Sequence, residues 1–314
     1  MHRICIGLWI LLACDPVSDD PPLDALSFDA GFDVLPFDAA FDADGPSDAV
    51  ADVDPHATHL AIASWNIEQF PKHASTLELV AALIEEHRLD LIGIQEITEV
   101  EPFEALAEML PDHDMYVSFD SRAFTRVGFL YRRDRIRVGE VDRIFTSDRS
   151  AFPRSPLVAD IEVVDDAGVV IFDFTFAVVH LKAMLDEESR QRRIAAVEKL
   201  DAWIRDGLAT EPDVVVVGDW NDELTDPPAW NVFEPLIDSP DTYRFLTLGP
   251  ERAGEHTYIP FEAMIDHILV TTDALDEYGV GTTEVLAIDR VMPAYREQVS
   301  DHRPVVSRFA IVAN

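Results

Sequence analysis

The chain is poor in three features that would otherwise suggest a function. It has only three lysines among 314 residues, and 24 basic residues stand against 60 acidic ones, for a formal net charge of −36. Its two cysteines, Cys5 and Cys14, both lie near the N-terminus. Beyond residue 13, no apolar run approaches the roughly 20 residues that a membrane-spanning helix needs. These scarcities argue against broad attraction to nucleic acid or anionic membranes, and they exclude disulfides and thiol chemistry from the body of the protein.

The N-terminal segment has the layout of an export signal. His2 and Arg3 precede a short apolar stretch that ends in Leu11-Leu12-Ala13-Cys14. Because this ending resembles a bacterial lipoprotein cleavage box, we expect residues 1–13 to be removed and Cys14 to carry a lipid. The protein would then be exported, as a cell-envelope lipoprotein or a secreted protein, and would contact the membrane only through Cys14. The alternatives are an uncleaved apolar N-terminus and a misassigned start codon.

Residues 14–57 are predicted to form a disordered tether. They contain twelve aspartates but no lysine, arginine or glutamate, and Phe-Asp-Ala recurs at Phe28, Phe37 and Phe41. Self-repulsion and the scarcity of bulky apolar groups disfavour a packed core here. Residues 58–314 are long enough and apolar enough for one large folded domain, and nothing in them suggests an obligate protein partner, so we expect a monomer.

The folded domain is organised around the segment Asp213 to Asp222, which reads Asp-Val-Val-Val-Val-Gly-Asp-Trp-Asn-Asp. Four consecutive valines predict a fully buried strand, since β-branched residues suit the pleat and no polar residue alternates with them. Predicted strands and helices are interspersed along the rest of the domain. This pattern predicts a layered α/β domain with no internal boundary.

Polar side chains that can do chemistry recur next to the predicted strand ends. They are Asn66, Glu68, Glu96, His180, Asp219, Asn221, Asp266, Asp301 and His302. Each one alone has a structural explanation, as an acid at a helix N-terminus, a buried histidine or a turn-forming aspartate. Their joint occurrence favours a site, because carboxylate and amide oxygens suit a divalent cation or a phosphate group.

The segments that carry these residues resemble the motifs of the endonuclease/exonuclease/phosphatase superfamily. The matching motifs are Trp65-Asn66-Ile67, Gln95-Glu96, Val179-His180-Leu181-Lys182, Gly218-Asp219-Trp220-Asn221, Ile265-Asp266-His267 and Ser300-Asp301-His302. They occur in the order found in that superfamily and cover residues 59–311. The resemblance implies a four-layered α/β/β/α sandwich of the DNase I type. Two mixed β-sheets would pack face to face, with helices outside and a site at one edge.

The resemblance also implies a metal site. Glu96 resembles the principal ligand of a Mg²⁺ ion, which Mn²⁺ could replace. Glu68, Asn66 and Asp301 would complete or support this site, and Asn66 would also contact the phosphate. Oxygen ligands with retained waters suit Mg²⁺.

The remaining roles concern the phosphate and the attacking water. His302 resembles the general base, with Asp266 fixing its orientation. Asp219 and Asn221 would hold the water and the scissile phosphate. His180 resembles a second histidine that donates to the phosphate or protonates the leaving group.

One departure concerns that second histidine. Pancreatic deoxyribonucleases carry a glutamate shortly before the Phe-Leu-Tyr-Arg strand, where it pairs with the counterpart of His180. In this chain Thr125 and Arg126 precede the corresponding residues Phe129 to Arg132. The departure favours a single-histidine mechanism.

Three functions remain open, because the motifs are shared across the superfamily. The first is a metal-dependent nuclease or phosphodiesterase, endonuclease-like, with nucleic acid or another phosphodiester as its partner. The second is a phosphatase or a sphingomyelinase-like phospholipid phosphodiesterase, and the third is a non-catalytic surface-binding lipoprotein. Residues 122–154 hold nine arginines against four acids. They form either a solvated strand face or a basic rim beside the site.

Overall fold

A computed structural model describes residues 57–119, 123–279 and 281–312. The predicted signal, Cys14 and the predicted tether up to residue 56 lie outside the described residues. Within the described ranges, no helix is both long and apolar enough to cross a membrane.

The described residues form twelve strands, seven α-helices and one 3₁₀-helix. The strands are β1 (Ala57–Phe70), β2 (Leu91–Ile97), β3 (His113–Val117), β4 (Arg126–Arg132), β5 (Ile136–Arg143), β6 (Leu157–Val164), β7 (Val170–His180), β8 (Val214–Asp219), β9 (Tyr243–Phe245), β10 (Asp266–Thr271), β11 (Thr282–Val285) and β12 (Val305–Val312). The α-helices are α1 (Thr76–His87), α2 (Val100–Met109), α3 (Glu187–Gly207), α4 (Glu234–Ile237), α5 (Leu248–Arg252), α6 (Leu275–Tyr278) and α7 (Tyr295–Gln298). The 3₁₀-helix spans Ile288–Arg290.

The strands form two mixed sheets of six strands each. The first has the order β11-β12-β1-β2-β4-β3, and the second has the order β5-β6-β7-β8-β10-β9. Each sheet contains one parallel pair, β1 with β2 and β7 with β8, and its other neighbours are antiparallel. The carboxyl ends of β1 and β2 therefore lie together in one sheet, and those of β7 and β8 lie together in the other.

Alternating side chains on β1 show how the layers pack. Leu60 and Ile62 enter the core between the two sheets, whereas Ala63 and Trp65 enter a second core on the other face of the first sheet. Successive side chains of a strand point to opposite faces, so one strand serves both cores. Buried residues of α1 and α2 complete the second core.

The four valines of β8 are divided in the same way. Val215 and Val217 lie in the core between the sheets, and Val214 and Val216 lie in a third core that includes buried residues of α3. All four are buried, as the unbroken apolar run predicts. Three cores between four layers confirm the predicted α/β/β/α sandwich.

The end of β8 requires a glycine. A Cβ atom at Gly218 would lie 2.1 Å from the backbone oxygen of Val179 on the parallel neighbour β7. Only a residue without a side chain permits this approach. In the register of this parallel pair, Asp219 is the partner of His180.

The last strand of the domain, β12, begins only at Val305, although apolar residues already occur from Val299. Residues 299–304 instead form a loop that turns His302 toward the second sheet, with Pro304 ending the loop. A proline lacks the N–H that a strand ladder needs, which accounts for the later start.

Candidate active site

All nine predicted site residues lie at one edge of the sandwich. In the first sheet Asn66 is paired with Gln95, the residue before Glu96. In the second sheet Asp219 is paired with both His180 and Asp266. A hydrogen bond from Asn66 Nδ2 to Asp219 Oδ2, 3.0 Å long, joins the two sheets at this edge.

His302 and Asp266 form a buried pair. His302 Nδ1 lies 2.8 Å from Asp266 Oδ2, and the two residues are 5% and 0% exposed. Burial disfavours a charged imidazole, but the carboxylates of Asp266, Asp219 and Asp301 outweigh it and raise the pKa of His302 to about 10. Where no cation offsets these carboxylates, they favour the charged form of His302.

Hydrogen bonds to two hydroxyls hold the His302 loop in place. Tyr295 Oη donates to the carbonyl of His302 (2.6 Å) and accepts from Trp65 Nε1 (3.1 Å). Ser300 Oγ donates to the carbonyl of Asn66 (2.7 Å) and accepts from the amide of His302 (2.9 Å). The loop is thus fastened to β1. Sequence reasoning missed Tyr295, since an isolated tyrosine in a short helix carries no recognisable signal.

Asp219 is the most connected acid of the site. Its Oδ1 accepts from the amide of Asn221 at 3.0 Å, and its Oδ2 accepts from Asn66. Burial and, next, the carboxylate of Asp266 raise the pKa of Asp219 to about 7. Asn221 has a left-handed backbone (φ 57°), which asparagine tolerates well, and its Nδ2 donates to the carbonyl of Leu181 at 3.3 Å.

His180 lies in a very different environment from His302. Its Nε2 is 3.4 Å from Asp219 Oδ2 and 4.0 Å from Glu96 Oε1. Its Nδ1 is buried, with no hydrogen-bond partner among the described residues. Burial, with the positive charges of Arg154 and His302, holds the pKa of His180 well below its usual value. A neutral imidazole suits a hydrogen-bonding role better than that of an acid.

The remaining acids crowd the rim of the first sheet. Glu96 Oε2 accepts from the amide of Gln69 at 3.0 Å, and Glu68 Oε2 accepts from the amide of Asp301 at 2.8 Å and from Lys72. Burial raises the pKa of Asp301 to about 6; the neighbouring Glu68 also raises it, whereas His302 lowers it. Glu68 and Glu96 both have positive φ values, 35° and 67°, the strained backbone often found at functional sites.

Three acids of this rim are candidate ligands of a divalent cation. Glu96, Glu68 and Asp301 have side chains 20 to 23% exposed, so their oxygens are accessible. Asn66 fits less well as a direct ligand, because its Oδ1 accepts from the amide of Glu68 while its Nδ2 binds Asp219. Asn66 instead helps to position Glu68 and Asp219 through these two hydrogen bonds. A cation here would also offset the negative charge that favours the charged form of His302.

A second group of candidate ligand atoms lies deeper. Atoms of Asp219, Asp266 and His302 lie within 4.8 Å of one another, and Asp266 Oδ1 is buried without a hydrogen-bond partner among the described residues. His302 and Asp266 are already bonded to each other, and all three residues are buried. The carboxylates of Glu96, Glu68 and Asp301 are more accessible to an exchangeable cation, but among the described residues their oxygens do not converge within 4.8 Å of one another as the atoms of the deeper group do.

The described arginines of the arginine-rich segment do not all lie beside the site. Arg132 and Arg135 bind Asp90, which precedes β2 and so lies at the end of the sheet opposite Glu96. Arg154, by contrast, lies within electrostatic reach of Glu96. Arg132 and Arg135 therefore have a structural role as partners of Asp90 and are not part of a basic rim beside the site.

Comparisons with known proteins agree with this geometry. A sequence model described as "Endonuclease/Exonuclease/phosphatase family" matches residues 63–302. No curated protein sequence matches the chain. Among solved structures, TDP2 of Danio rerio, complexed with single-strand DNA product, is 15% identical with a TM-score of 0.60, over 80% of this chain and 99% of that chain.

Two further structures share the fold. Truncated TDP2 of Caenorhabditis elegans is 16% identical, with a TM-score of 0.59 over 80% of this chain and 98% of that chain. A mannosyl-6-phosphatase of Bacteroides thetaiotaomicron is 16% identical, with a TM-score of 0.55 over 79% of this chain and 98% of that chain. The family match spans well over half of the sequence, and the chain belongs to the endonuclease/exonuclease/phosphatase family.

Proposed function

We propose that the protein is a Mg²⁺-dependent phosphodiester hydrolase, and specifically a nuclease that cuts single-stranded nucleic acid. The observation that carries this proposal is the buried Asp266–His302 pair, which lies beside Asp219 and next to a rim of accessible acids. Hydrolysis of a phosphoester needs a base for the attacking water, positive charge for the phosphoryl oxygens and donors that hold them.

The residues supply these functions as follows. Asp266 occupies Nδ1 of His302, so Nε2 is the atom that accepts a proton from water as the new oxygen–phosphorus bond forms. The carboxylate of Asp266 stabilises the resulting imidazolium. Asn221 and His180 bind phosphoryl oxygens, and the leaving oxygen takes a proton from solvent as its bond to phosphorus breaks. Glu96, with Glu68 and Asp301, would hold a Mg²⁺ or Mn²⁺ ion, which neutralises phosphoryl charge.

Aromatic side chains near the site, one of them exposed, favour a nucleic-acid substrate. Tyr258 lies 4.8 Å from His302 between ring centroids, and Phe261, 78% exposed, is stacked on Tyr258 at 5.7 Å. Bases stack on such rings with little dependence on sequence. An acidic protein cannot rely on basic surface for affinity, so stacking on single strands is the more plausible mode of binding. TDP2 of Danio rerio, bound to single-strand DNA product, has the same fold.

The experiment measures hydrolysis by the purified protein with Mg²⁺, with Mn²⁺ and with EDTA. The substrates are single-stranded DNA, duplex DNA, RNA, bis-p-nitrophenyl phosphate and p-nitrophenyl phosphate. We expect cleavage of single strands and of the small diester that requires the metal and is lost in Glu96→Gln. Wild-type protein that cleaves neither nucleic acid nor the diester with either metal would contradict the proposal.

A phosphomonoesterase is the second candidate. Favouring it is the net charge of −36, which repels a polyanion more than it repels a small ester. Hydrolysis of p-nitrophenyl phosphate alone would support this candidate. Salt gives a further distinction, because cleavage of nucleic acid should weaken steeply with ionic strength and cleavage of a small ester much less. If the protein cleaved no ester, the remaining hypothesis would be a non-catalytic binding protein.

We also propose that the protein is held at the cell envelope through a lipid on Cys14. The proposal rests on the sequence of the N-terminal segment, which lies outside the described residues. Labelling with a radioactive fatty acid in a bacterial host should mark the wild-type protein but not Cys14→Ser. Equal labelling of both would contradict it.

A further inference from the structure

Arg154 is a cationic side chain outside the recognised motifs that reaches the edge where the site residues meet. Arg154 lies in the segment between β5 and β6, which is anchored by the fully buried Phe152. Leu157, three residues further on, is paired with Val178 of β7. Arg154 therefore lies beside the end of β7 that carries His180, and the fold holds its backbone at the site.

A buried hydroxyl fixes the guanidinium group. Arg154 Nε donates to Thr125 Oγ1 at 3.1 Å, and Thr125 is only 3% exposed. Thr125 immediately precedes β4, whose first residue Arg126 is paired with Ile97, the neighbour of Glu96. The bond thus connects the site ends of the two sheets. Among the described residues it is the only hydrogen bond of the Arg154 side chain, which leaves both terminal nitrogens available.

The positive charge of Arg154 interacts with carboxylates of the site. Burial lowers the pKa of Arg154, whereas the carboxylates of Glu96 and Asp219 raise it. An arginine remains protonated despite such burial. Two buried arginines of the protein bind a carboxylate directly, Arg193 with Asp222 at 2.8 Å and Arg303 with Asp289 at 2.6 Å. Arg154 differs, because no carboxylate among the described residues lies within 4 Å of it.

We propose that Arg154 is a substrate-binding residue whose guanidinium binds a non-bridging oxygen of the scissile phosphoryl group. The inference rests on the proposed function and extends it to a residue outside the recognised motifs. A guanidinium presents paired donors that match phosphoryl oxygens, which a lysine cannot do. Thr125 is then a positioning residue, since its hydroxyl holds the guanidinium at Nε and leaves the terminal nitrogens for the substrate.

The test measures binding of inorganic phosphate by calorimetry, at a fixed Mg²⁺ concentration, so that its outcome does not depend on catalysis. We expect Arg154→Met to weaken phosphate binding about 10- to 100-fold, as for loss of a charge-assisted hydrogen bond. Arg154→Lys should restore part of the affinity. Thr125→Val should cost only a few-fold, because it keeps the charge and loses only its orientation. Arg137→Met, a charge change at the opposite end of the sheets, should have no effect.

Steady-state kinetics gives the second measurement. Loss of a contact that binds the substrate and strengthens in the transition state raises KM and lowers kcat, and Arg154→Met should do both with p-nitrophenyl esters as substrates. Equal phosphate affinity for wild type and Arg154→Met, including no binding by either, would overturn the assignment. Weaker phosphate binding by Arg154→Met in a protein that hydrolyses no ester would support Arg154 and overturn the proposed function. An active enzyme indifferent to Arg154→Met would overturn only this inference.

Discussion

The two ends of β2 carry acids with opposite surroundings. Asp90, just before the strand, is 2% exposed; its Oδ2 accepts from the amide of Ala61 and from Arg135, both at 2.8 Å, and its Oδ1 lies 3.4 Å from Arg132. Glu96, at the other end, accepts one backbone hydrogen bond and lies 4.0 Å from a histidine whose pKa is lowered. The acid at one end is therefore neutralised by arginines, whereas no arginine or lysine among the described residues lies within 4 Å of the acid at the other end.

The two ends of β8 add a qualification. Asp213, just before the strand, and Asp219, at its end, both have a pKa raised to about 7, by burial first and by neighbouring acids second. Only Asp219 is part of a hydrogen-bonded site. A perturbed pKa therefore does not identify a functional residue by itself. What distinguishes the site is the convergence of acids, amides and imidazoles from both sheets.

The largest expected effect is on activity at the site end. His302→Ala should lower kcat/KM about 10²- to 10⁴-fold, the range for loss of a general base, without unfolding the protein. His113 provides a matched control at the far end, since its buried Nε2 lies 3.0 Å from the carbonyl of Leu89. His113→Ala should lower stability while kcat/KM stays near that of wild type. Similar kcat/KM values for His302→Ala and His113→Ala would contradict the proposed functional difference between the two ends of the sheets.

Next in size is the expected loss of stability at the far end. Asp90→Asn removes the charge that two arginines share, in a buried position, and should lower the free energy of unfolding by about 3 kcal/mol. Urea denaturation measures this loss directly. Hydrolysis per folded molecule should not change, because Asp90 lies at the opposite end of β2 from Glu96. A change below about 0.5 kcal/mol would show that the paired acid does not stabilise the fold.

Binding of Mg²⁺ should stabilise the folded protein, and this stabilisation should depend on Glu96 at the site end of β2. If Mg²⁺ binds the folded protein alone, a concentration 100 times its Kd adds about 2.7 kcal/mol and raises Tm. Glu96→Gln should abolish most of this increase. Scanning calorimetry with and without Mg²⁺ measures it for both proteins, and an equal increase in Tm for the two would exclude Glu96 as a ligand.

Much of the fold and the set of site residues could be predicted from sequence. Unbroken apolar runs and helical spacing predict the central strands and α1 to α3, because burial determines both pattern and structure there. The short strands β3, β9 and β11 could not be predicted, since they have only three to five residues each and their formation depends on pairing with other strands. The same limit applies to Tyr295 and Arg154, whose roles arise from contacts between segments far apart in sequence.

The smallest expected effect is the stability gain of Asp213→Asn at neutral pH. Burial and then Glu277, Glu211, Asp273 and Asp173 raise the pKa of Asp213 to about 7. Because this value lies above the value of about 3.9 expected in the unfolded chain, the folded state binds more protons between these pH values, and the stability contributed by Asp213 falls as pH rises from about 4 to 7. The substitution should therefore raise Tm at pH 8 and leave it nearly unchanged at pH 4.

Solvent screening limits the gain to about 1 kcal/mol, or roughly 2–4 °C in Tm. Asp219→Asn provides the comparison at the other end of the same strand. It removes a carboxylate whose pKa is raised to the same value, so its Tm should respond to pH in the same direction, but hydrolysis should be lost. Asp213→Asn should leave hydrolysis unchanged, because Asp213 lies at the opposite end of β8. If both variants remained active, Asp219 would resemble Asp213: its pKa would be raised by burial and by neighbouring acids, but it would take no part in hydrolysis.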